Sequence, residues 1–206
     1  MAMLREALGA TTWMDGARDL ARVLRRPAAR PGGLLLVGTL THEPWHLTAH
    51  LDDEARFSGL PELTPTLVRW QAPAGAPPHL SVTLSRLEEA RRGETLFVVA
   101  PDSAGEQLLT RAADARKRGA TLVSLDGGDA ELGDLAHERM VVSPSGLAVP
   151  EHALDDEDVD SDVGLSFDVA QHLVSAAAGE PSATARGWRA RLEQVLEKIS
   201  GPSPER

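Results

Sequence analysis

Residues 95–125 read TLFVVAPDSAGEQLLTRAADARKRGATLVSL and contain a strand–helix–strand pattern. Thr95–Val99 is a short apolar run with β-branched residues, which is typical of a strand buried on both faces. The segment 104–117 has helical character, and Gly119 stands where a helix commonly ends in the left-handed conformation. Thr121–Leu125 is a second apolar run. This spacing predicts two parallel strands joined by a right-handed helical crossover.

The same alternation continues on both sides of this unit. Upstream, Leu34–Val37 is predicted as a buried strand and Thr66–Trp70 as a weaker one; downstream, Arg139–Val142 is predicted as a last short strand. Helices are predicted at 13–25, 43–56, 80–91, 165–178 and 187–199. The sequence is therefore expected to form an N-terminal helical segment at 1–29, an α/β domain at 30–200 and a disordered tail at 201–206.

Composition excludes several classes of protein. The chain has 206 residues and no cysteine, which excludes a disulfide scaffold, a thiolate zinc site and a cysteine nucleophile. Its formal net charge of −10 argues against binding to a nucleic-acid backbone. The sequence has no apolar run of the roughly 20 residues that a membrane span requires, and no signal peptide is recognised. We expect a cytoplasmic protein that binds neither nucleic acid nor membrane.

The stretch THEPWHLTAHL, residues 41–51, spells the letters of a zinc protease motif, H-E-x-x-H. In such proteases the motif lies inside a helix, where two histidines four residues apart face the metal together. Here it follows a strand and a loop, with Thr41 predicted as the helix N-cap and Pro44 in the first turn. We therefore predict that His42, His46 and His50 hold no catalytic metal.

The acidic run 155–162 resembles a calcium-binding loop only in part. Ser161 stands where the turn glycine belongs, and Phe167 stands where the closing glutamate belongs. This run is interpreted as a solvated loop that leads into a helix.

Two loops rich in small polar residues follow predicted strands, at Gly38–Thr41 and at Pro101–Gly105. Ligands of open parallel sheets lie beyond the carboxyl ends of the strands, where helix N-termini offer free N–H groups to anions. The alternative is that these residues only cap helices. Nucleotide-binding and esterase motifs such as G-x-x-x-x-G-K-[ST], G-x-G-x-x-G and G-x-S-x-G are absent from the sequence.

These segments resemble the sugar isomerase (SIS) domain, the phosphosugar-binding fold of phosphoheptose isomerases and related regulators. The resemblance covers roughly residues 15–180 and is carried by ARKRGATLVSLDGGDAELGDLAHERMVV, LLLVGTL and ETLFVVAPDSAGEQLLTRAADA. It extends to uncharacterised bacterial proteins in which GLAVPEHALDDED has a counterpart. It implies phosphate binding by Gly38, Thr39, Thr41, Ser103 and Gly105.

The sequence departs from the usual SIS pattern at several positions. Leu40 replaces the second glycine of the first loop, and Ala104 lies between Ser103 and Gly105 in the second. Phosphoheptose isomerases use a glutamate base where His50 stands here, and an acid/base histidine near the position of His172. The resemblance thus implies His50 and His172 as the candidate catalytic pair.

We therefore predict a three-layer α/β/α domain with a five-stranded parallel sheet in flavodoxin-like (SIS) order. We also predict a homodimer formed through terminal helices that carry Leu192, Val195 and Ile199. The predicted function is binding of a sugar phosphate or other small anion by a regulatory or degenerate isomerase, without a cofactor. Two alternatives remain: an active aldose–ketose phosphosugar isomerase, and a structural interaction protein without a small ligand.

Overall fold

The structure, a computed structural model, describes residues 12–26, 32–142 and 167–179. In chain order the strands are β1 (Leu34–Gly38), β2 (Pro65–Val68), β3 (Thr95–Ala100), β4 (Thr121–Asp126) and β5 (Glu138–Val141). The α-helices are α1 (Thr12–Leu24), α2 (Trp45–Ser58), α3 (Glu106–Lys117), α4 (Ala130–Leu135) and α5 (Phe167–Gly179). Short 3₁₀ segments occur at Pro61–Leu63, Pro78–Leu80 and Leu84–Glu89.

The five strands form one sheet in the order β2-β1-β3-β4-β5, and every neighbouring pair is parallel. The predicted five-stranded sheet with flavodoxin-like order is therefore confirmed. The order reverses at β1, whose two neighbours are β2 and β3. In open α/β sheets such a reversal opens a crevice at the carboxyl ends of the strands, which is where ligands bind.

Alternating side chains of the strands build two separate cores, one on each face of the sheet. Leu34 and Leu36 of β1 pack with residues of α1, α2 and α5. Leu35 and Val37 pack on the other face with residues of α3, α4 and the 3₁₀ segment Leu84–Glu89. This arrangement is the three-layer architecture that the sequence predicts.

The helices differ from prediction in two places. The predicted helix 80–91 is wrong, because Leu84–Glu89 is a 3₁₀ segment between Thr83 and Ala90, both of which have extended backbone. Leu84 and Leu87 are buried there, and their spacing of three residues suits a 3₁₀ turn as well as an α-helix. Helix α4 was not predicted from the sequence; Asp129 caps it by accepting the Leu132 N–H.

The start of α2 also corrects the predicted capping. Pro44, and not Thr41, is the N-cap residue, and no side chain caps this helix. The H-E-x-x-H letters therefore lie mostly outside the helix, since only His46 of the two motif histidines belongs to α2.

Several predictions fall on parts of the chain that the structure does not describe. These are the acidic run 155–162, the helix at 187–199 with its apolar stripe, and the boundaries at 29/30 and 200/201. The homodimer and the domain limits accordingly stay predictions. No helix in the described ranges has the length and apolar character needed to cross a membrane.

Candidate functional site

The loop between β1 and α2 folds tightly back over the end of β1. A Cβ atom added to Gly38 would lie 1.8 Å from the carbonyl oxygen of His42, so only glycine fits at this position. The His42 N–H donates to the Thr39 carbonyl, and the indole Nε1–H of Trp70 donates to the Gly38 carbonyl at 2.9 Å. The glycine predicted for anion binding is thus first required for the close return of its own loop.

Thr39 and Thr41 are brought together by this turn. Their hydroxyl oxygens lie 3.2 Å apart, and Thr39 is buried at 3% exposure whereas Thr41 is exposed. Both residues lie immediately beyond the carboxyl end of β1 and ahead of the first turn of α2, which has no side-chain cap. Uncapped N–H groups at a helix start attract anions.

The second predicted loop has a different environment. Ser103 and Gly105 line an open cavity of about 740 Å³ between the β3–α3 and β4–α4 loops, and no residue of the β1–α2 loop lines it. Its lining includes the carboxylates Asp102, Glu106, Asp129 and Glu131. Gly105 has φ 74°, the left-handed region that glycine adopts without strain, and it precedes the first turn of α3.

One N–H of this second loop already has an anionic acceptor within the protein. The backbone N–H of Ala104 donates to Asp129 Oδ2 at 2.8 Å. Burial raises the pKa of the Asp129 carboxyl, but hydrogen bonds from the N–H groups of Leu132, Ala104 and Glu131, together with nearby Arg139, outweigh it and hold that pKa below its usual value. The carboxylate therefore takes part of the role that a bound phosphate would have at the β3–α3 loop.

Arg139 anchors the neighbouring turn from β5. Its guanidinium donates to both oxygens of the buried Asp126, which also accepts the N–H groups of Gly128 and Asp129. The side-chain hydrogen bond to Asp126 raises the pKa of Arg139. This network fixes the β4–α4 loop and serves structure, because the donors of Arg139 point into the turn.

His42 connects the two loops with α5. Its ring meets Phe167 edge to face at a centroid distance of 6.0 Å, and its Nε2 is buried without a hydrogen-bond partner among the described residues. Burial lowers the pKa of His42, and the nearby carboxylates of Asp168 and Asp102 oppose that effect in part. The neutral imidazole is therefore favoured at this point of the sheet edge.

Three other histidines form a cluster between α2 and α5. The centroids of His46 and His50 are 4.6 Å apart, those of His46 and His172 4.8 Å, and those of His50 and His172 4.3 Å. One ligand atom from each lies within 4.8 Å of the others. The indole of Trp45, 62% exposed, stacks on His46 at 5.2 Å. The predicted pair His50 and His172 is thus in contact.

Sequence reasoning did not anticipate the contact of His46 with His172 or the ion pair of Arg69 with Glu43. His46 was grouped with His42 and His50, whereas its close partners are His50 and His172. Arg69 forms an ion pair with Glu43 in the β1–α2 loop, with Arg69 NH2 and Glu43 Oε1 3.0 Å apart. The sequence signal for the contact between His46 and His50 is their spacing of four residues, which places both on one helix face.

Comparison with known proteins supports the fold and goes no further. No protein-family model matches the chain, and no curated protein matches it. Among solved structures, a predicted phosphosugar isomerase from Silicibacter pomeroyi DSS-3 is similar, with 19% identity and a TM-score of 0.52; the match covers 95% of this chain and 53% of that one.

Two further solved structures are also similar. The sugar isomerase domain of an RpiR transcription factor from Sphaerobacter thermophilus matches at 15% identity and a TM-score of 0.48, over 95% of this chain and 90% of that one. The NanR protein of Vibrio vulnificus, solved with ManNAc-6P, matches at 15% identity and 0.46, over 87% and 60%. The chain thus spans only 53% of the isomerase and 60% of NanR. By its sheet order and its likeness to the isomerase, the chain has the fold of a sugar isomerase (SIS) domain.

Proposed function

We propose that the chain binds a phosphorylated sugar, or another small anion of that kind, at the carboxyl edge of β1 and β3. The observation that carries this proposal is the Thr39–Thr41 hydroxyl pair at the end of β1, ahead of the uncapped start of α2. Hydroxyl groups and first-turn N–H groups are the donors that phosphate oxygens accept from. The shared fold with a predicted phosphosugar isomerase adds support.

The charges of the two loops suggest that each binds a different part of the ligand. The phosphate group belongs beside Thr39 and Thr41, because the cavity at Ser103 and Gly105 is lined by four carboxylates that would repel it. Those carboxylates and the Ser103 hydroxyl instead suit sugar hydroxyl groups, which donate hydrogen bonds. His42, in the first loop, is close enough to Asp102 of the second loop for that carboxylate to raise the pKa of its imidazole.

A thermal-shift screen of sugar phosphates tests this proposal. The wild type is compared with a Thr39→Val/Ser103→Ala double variant, which removes two hydroxyls with little change in shape, and with Thr110→Val on the exposed side of α3 as a control. Stabilisation should be seen in the wild type and the control, and lost in the double variant. If no sugar phosphate at millimolar concentration stabilises the wild type, the chain is better described as an interaction protein without a small ligand.

The role is proposed to be regulatory or that of a degenerate isomerase. His50 stands where phosphoheptose isomerases place a glutamate, so proton transfer between adjacent carbons would fall to an imidazole. The contact between His50 and His172 supports the alternative of residual isomerase activity, because isomerisation needs two acid/base groups close together. Ketose formation from aldose phosphates, measured with wild type and His172→Asn, separates the two roles.

A second candidate function is binding of a divalent metal ion by His46, His50 and His172. What favours it is the distance of at most 4.8 Å among one ligand atom from each residue. Zinc–nitrogen bonds are about 2.0–2.1 Å long, so small rotations of the rings would bring all three to one ion and leave a fourth position open. The sequence-based prediction of no metal considered His42 instead of His172 as the third ligand.

A further inference from the structure

Arg69 lies at the carboxyl edge of the sheet, next to the predicted anion site. Val68, the last residue of β2, pairs with Val37, so Arg69 is level with Gly38. The Arg69 backbone N–H donates to the Val82 carbonyl at 2.9 Å, and the residue forms a bridge with Thr83. These contacts fix the backbone from which the guanidinium extends.

The guanidinium of Arg69 is mostly buried and only partly used. Its side chain is 18% exposed, and NH2 forms the ion pair with Glu43 Oε1. Nε is buried and has no hydrogen-bond partner among the described residues. Arginine binds phosphate most tightly through two parallel N–H donors. In the described part of the chain, the buried Nε–H of Arg69 has no acceptor.

Glu43 has the properties of a replaceable partner. It follows Thr41 by two residues in the β1–α2 loop, its side chain is 37% exposed, and its Oε1 makes the contact with Arg69. A carboxylate carries one negative charge, whereas a phosphate monoester carries about −1.5 to −2 at neutral pH and offers three acceptor oxygens. Of two anions competing for one guanidinium, the phosphate can engage more donors.

We propose that Arg69 is the charge partner of the bound phosphate, and that Glu43 occupies it as an internal competitor in the unliganded protein. This inference rests on the proposed function and adds how affinity at that site is set. Binding releases the Glu43 carboxylate to solvent, and the phosphate then bridges the guanidinium and the hydroxyls of Thr39 and Thr41. Affinity for phosphate is accordingly held down by Glu43.

Titration with inorganic phosphate and with glucose 6-phosphate tests this inference. Glu43→Gln should lower the Kd for both probes by about tenfold, because the competing charge is gone. Arg69→Lys should raise the Kd, since lysine keeps the charge but loses the two parallel donors. The control is Glu88→Gln. Glu88 pairs with Arg111 of α3, with 3.8 Å between the guanidinium nitrogen and the carboxylate oxygen, on the opposite face of the sheet from α2. This variant should leave both Kd values unchanged.

The outcomes separate this inference from the proposed function. If the wild type binds glucose 6-phosphate and the Glu43→Gln and Arg69→Lys proteins bind it equally well, the competitor is refuted and the sugar-phosphate site stands. If neither the wild type nor Glu43→Gln binds either probe, both proposals fail. Should Arg69→Lys not fold, the half-exposed Glu43 still gives a decisive variant, because unchanged affinity in Glu43→Gln alone overturns the inference.

Discussion

The imidazole rings of His50 on α2 and His172 on α5 lie 4.3 Å apart between their centroids, at an interplanar angle of 65°. Both helices pack on the same face of the sheet, where Leu47 and Leu51 of α2 join Leu173 of α5 in one core. The contact is therefore a product of tertiary packing between two distant segments. His46 completes the cluster from the same side of α2.

The first prediction concerns metal binding by this cluster. Protein without an affinity tag should bind about one Zn²⁺ per chain, and His172→Asn should weaken the affinity by about tenfold or more, because it removes one of three imidazole ligands. Isothermal titration measures both values. His42→Asn is the matched control, since it breaks the H-E-x-x-H letters but leaves the cluster intact. Loss of zinc in His42→Asn with retention in His172→Asn would contradict this prediction, and so would a wild type that binds no zinc.

The second prediction concerns the return of the β1–α2 loop. Gly38→Ala should destabilise the protein and displace the loop, because the new Cβ would overlap the His42 carbonyl at 1.8 Å. Such overpacking costs typically about 1–3 kcal/mol of unfolding free energy. Urea unfolding of both proteins measures this cost.

Gly16→Ala in α1 is the control for this substitution. Its Cβ would meet the Met140 side chain at 3.5 Å, an ordinary contact, and alanine is favoured over glycine inside a helix by roughly 0.5–1 kcal/mol. Gly16→Ala should therefore be neutral or stabilising. Equal unfolding free energies for the Gly38→Ala protein and the wild type would show that the loop does not need this close return.

The sheet could be predicted from sequence because its strands carry local signals. Leu34–Gly38 and Thr95–Ala100 are apolar nearly throughout, as strands buried on both faces must be. Gly33 precedes the first strand, and Glu94 and Pro101 flank the second. The prediction of a helix at 80–91 was wrong because its local signal is ambiguous. Apolar residues three apart fit a 3₁₀ turn and an α-helix equally, and local spacing does not decide between them.

The candidate site could be predicted only in part. Small polar residues after strands indicate which loops lie at the ligand edge, and this pattern predicts Thr39 and Ser103 as site residues. Contacts made by packing distant segments leave no local signal. Three contacts of the site are of this kind: the hydrogen bond from the Ala104 N–H to Asp129, the ion pair of Glu43 with Arg69, and the contact of His172 with His46.

The third prediction concerns Asp129 as a structural anion. Asp129→Ala should lower the unfolding free energy by about 2 kcal/mol, because it removes the N-cap of α4 and the acceptor of the Ala104 N–H. Asp129→Asn should cost less, since it keeps one acceptor oxygen. Chemical denaturation at neutral pH measures the losses, with Asp53→Ala on the exposed surface of α2 as a control expected to lie within about 0.5 kcal/mol of the wild type. A cost for Asp129→Ala no larger than that of the control would remove this role.

The fourth prediction concerns the pH dependence of stability through His42. Burial lowers the pKa of His42 in the folded protein, so the unfolded chain, with an imidazole pKa near ~6.5, takes up the proton first as the pH falls. The contribution of the neutral ring is therefore complete above about pH 6.5 and is lost as the pH falls through the lower folded value. His42→Gln cannot be protonated, so between pH 7 and pH 5 the unfolding free energy of the wild type should fall more steeply than that of the variant.

The carboxylates near His42 provide a second test of the same prediction. Those of Asp168 and Asp102 raise the pKa of His42 and so offset part of the effect of burial. Asp168→Asn, at an exposed position on α5, should lower the folded pKa further and steepen the loss of stability towards pH 5. The measurement is urea unfolding at pH 8, 7, 6 and 5 for wild type, His42→Gln, Asp168→Asn and the combination of both. The combined variant should follow the His42→Gln profile, because Asp168 acts on stability here only through the protonation of His42. Parallel profiles for wild type and His42→Gln would contradict the prediction, since they would mean that the imidazole has the same pKa in the folded and unfolded chain.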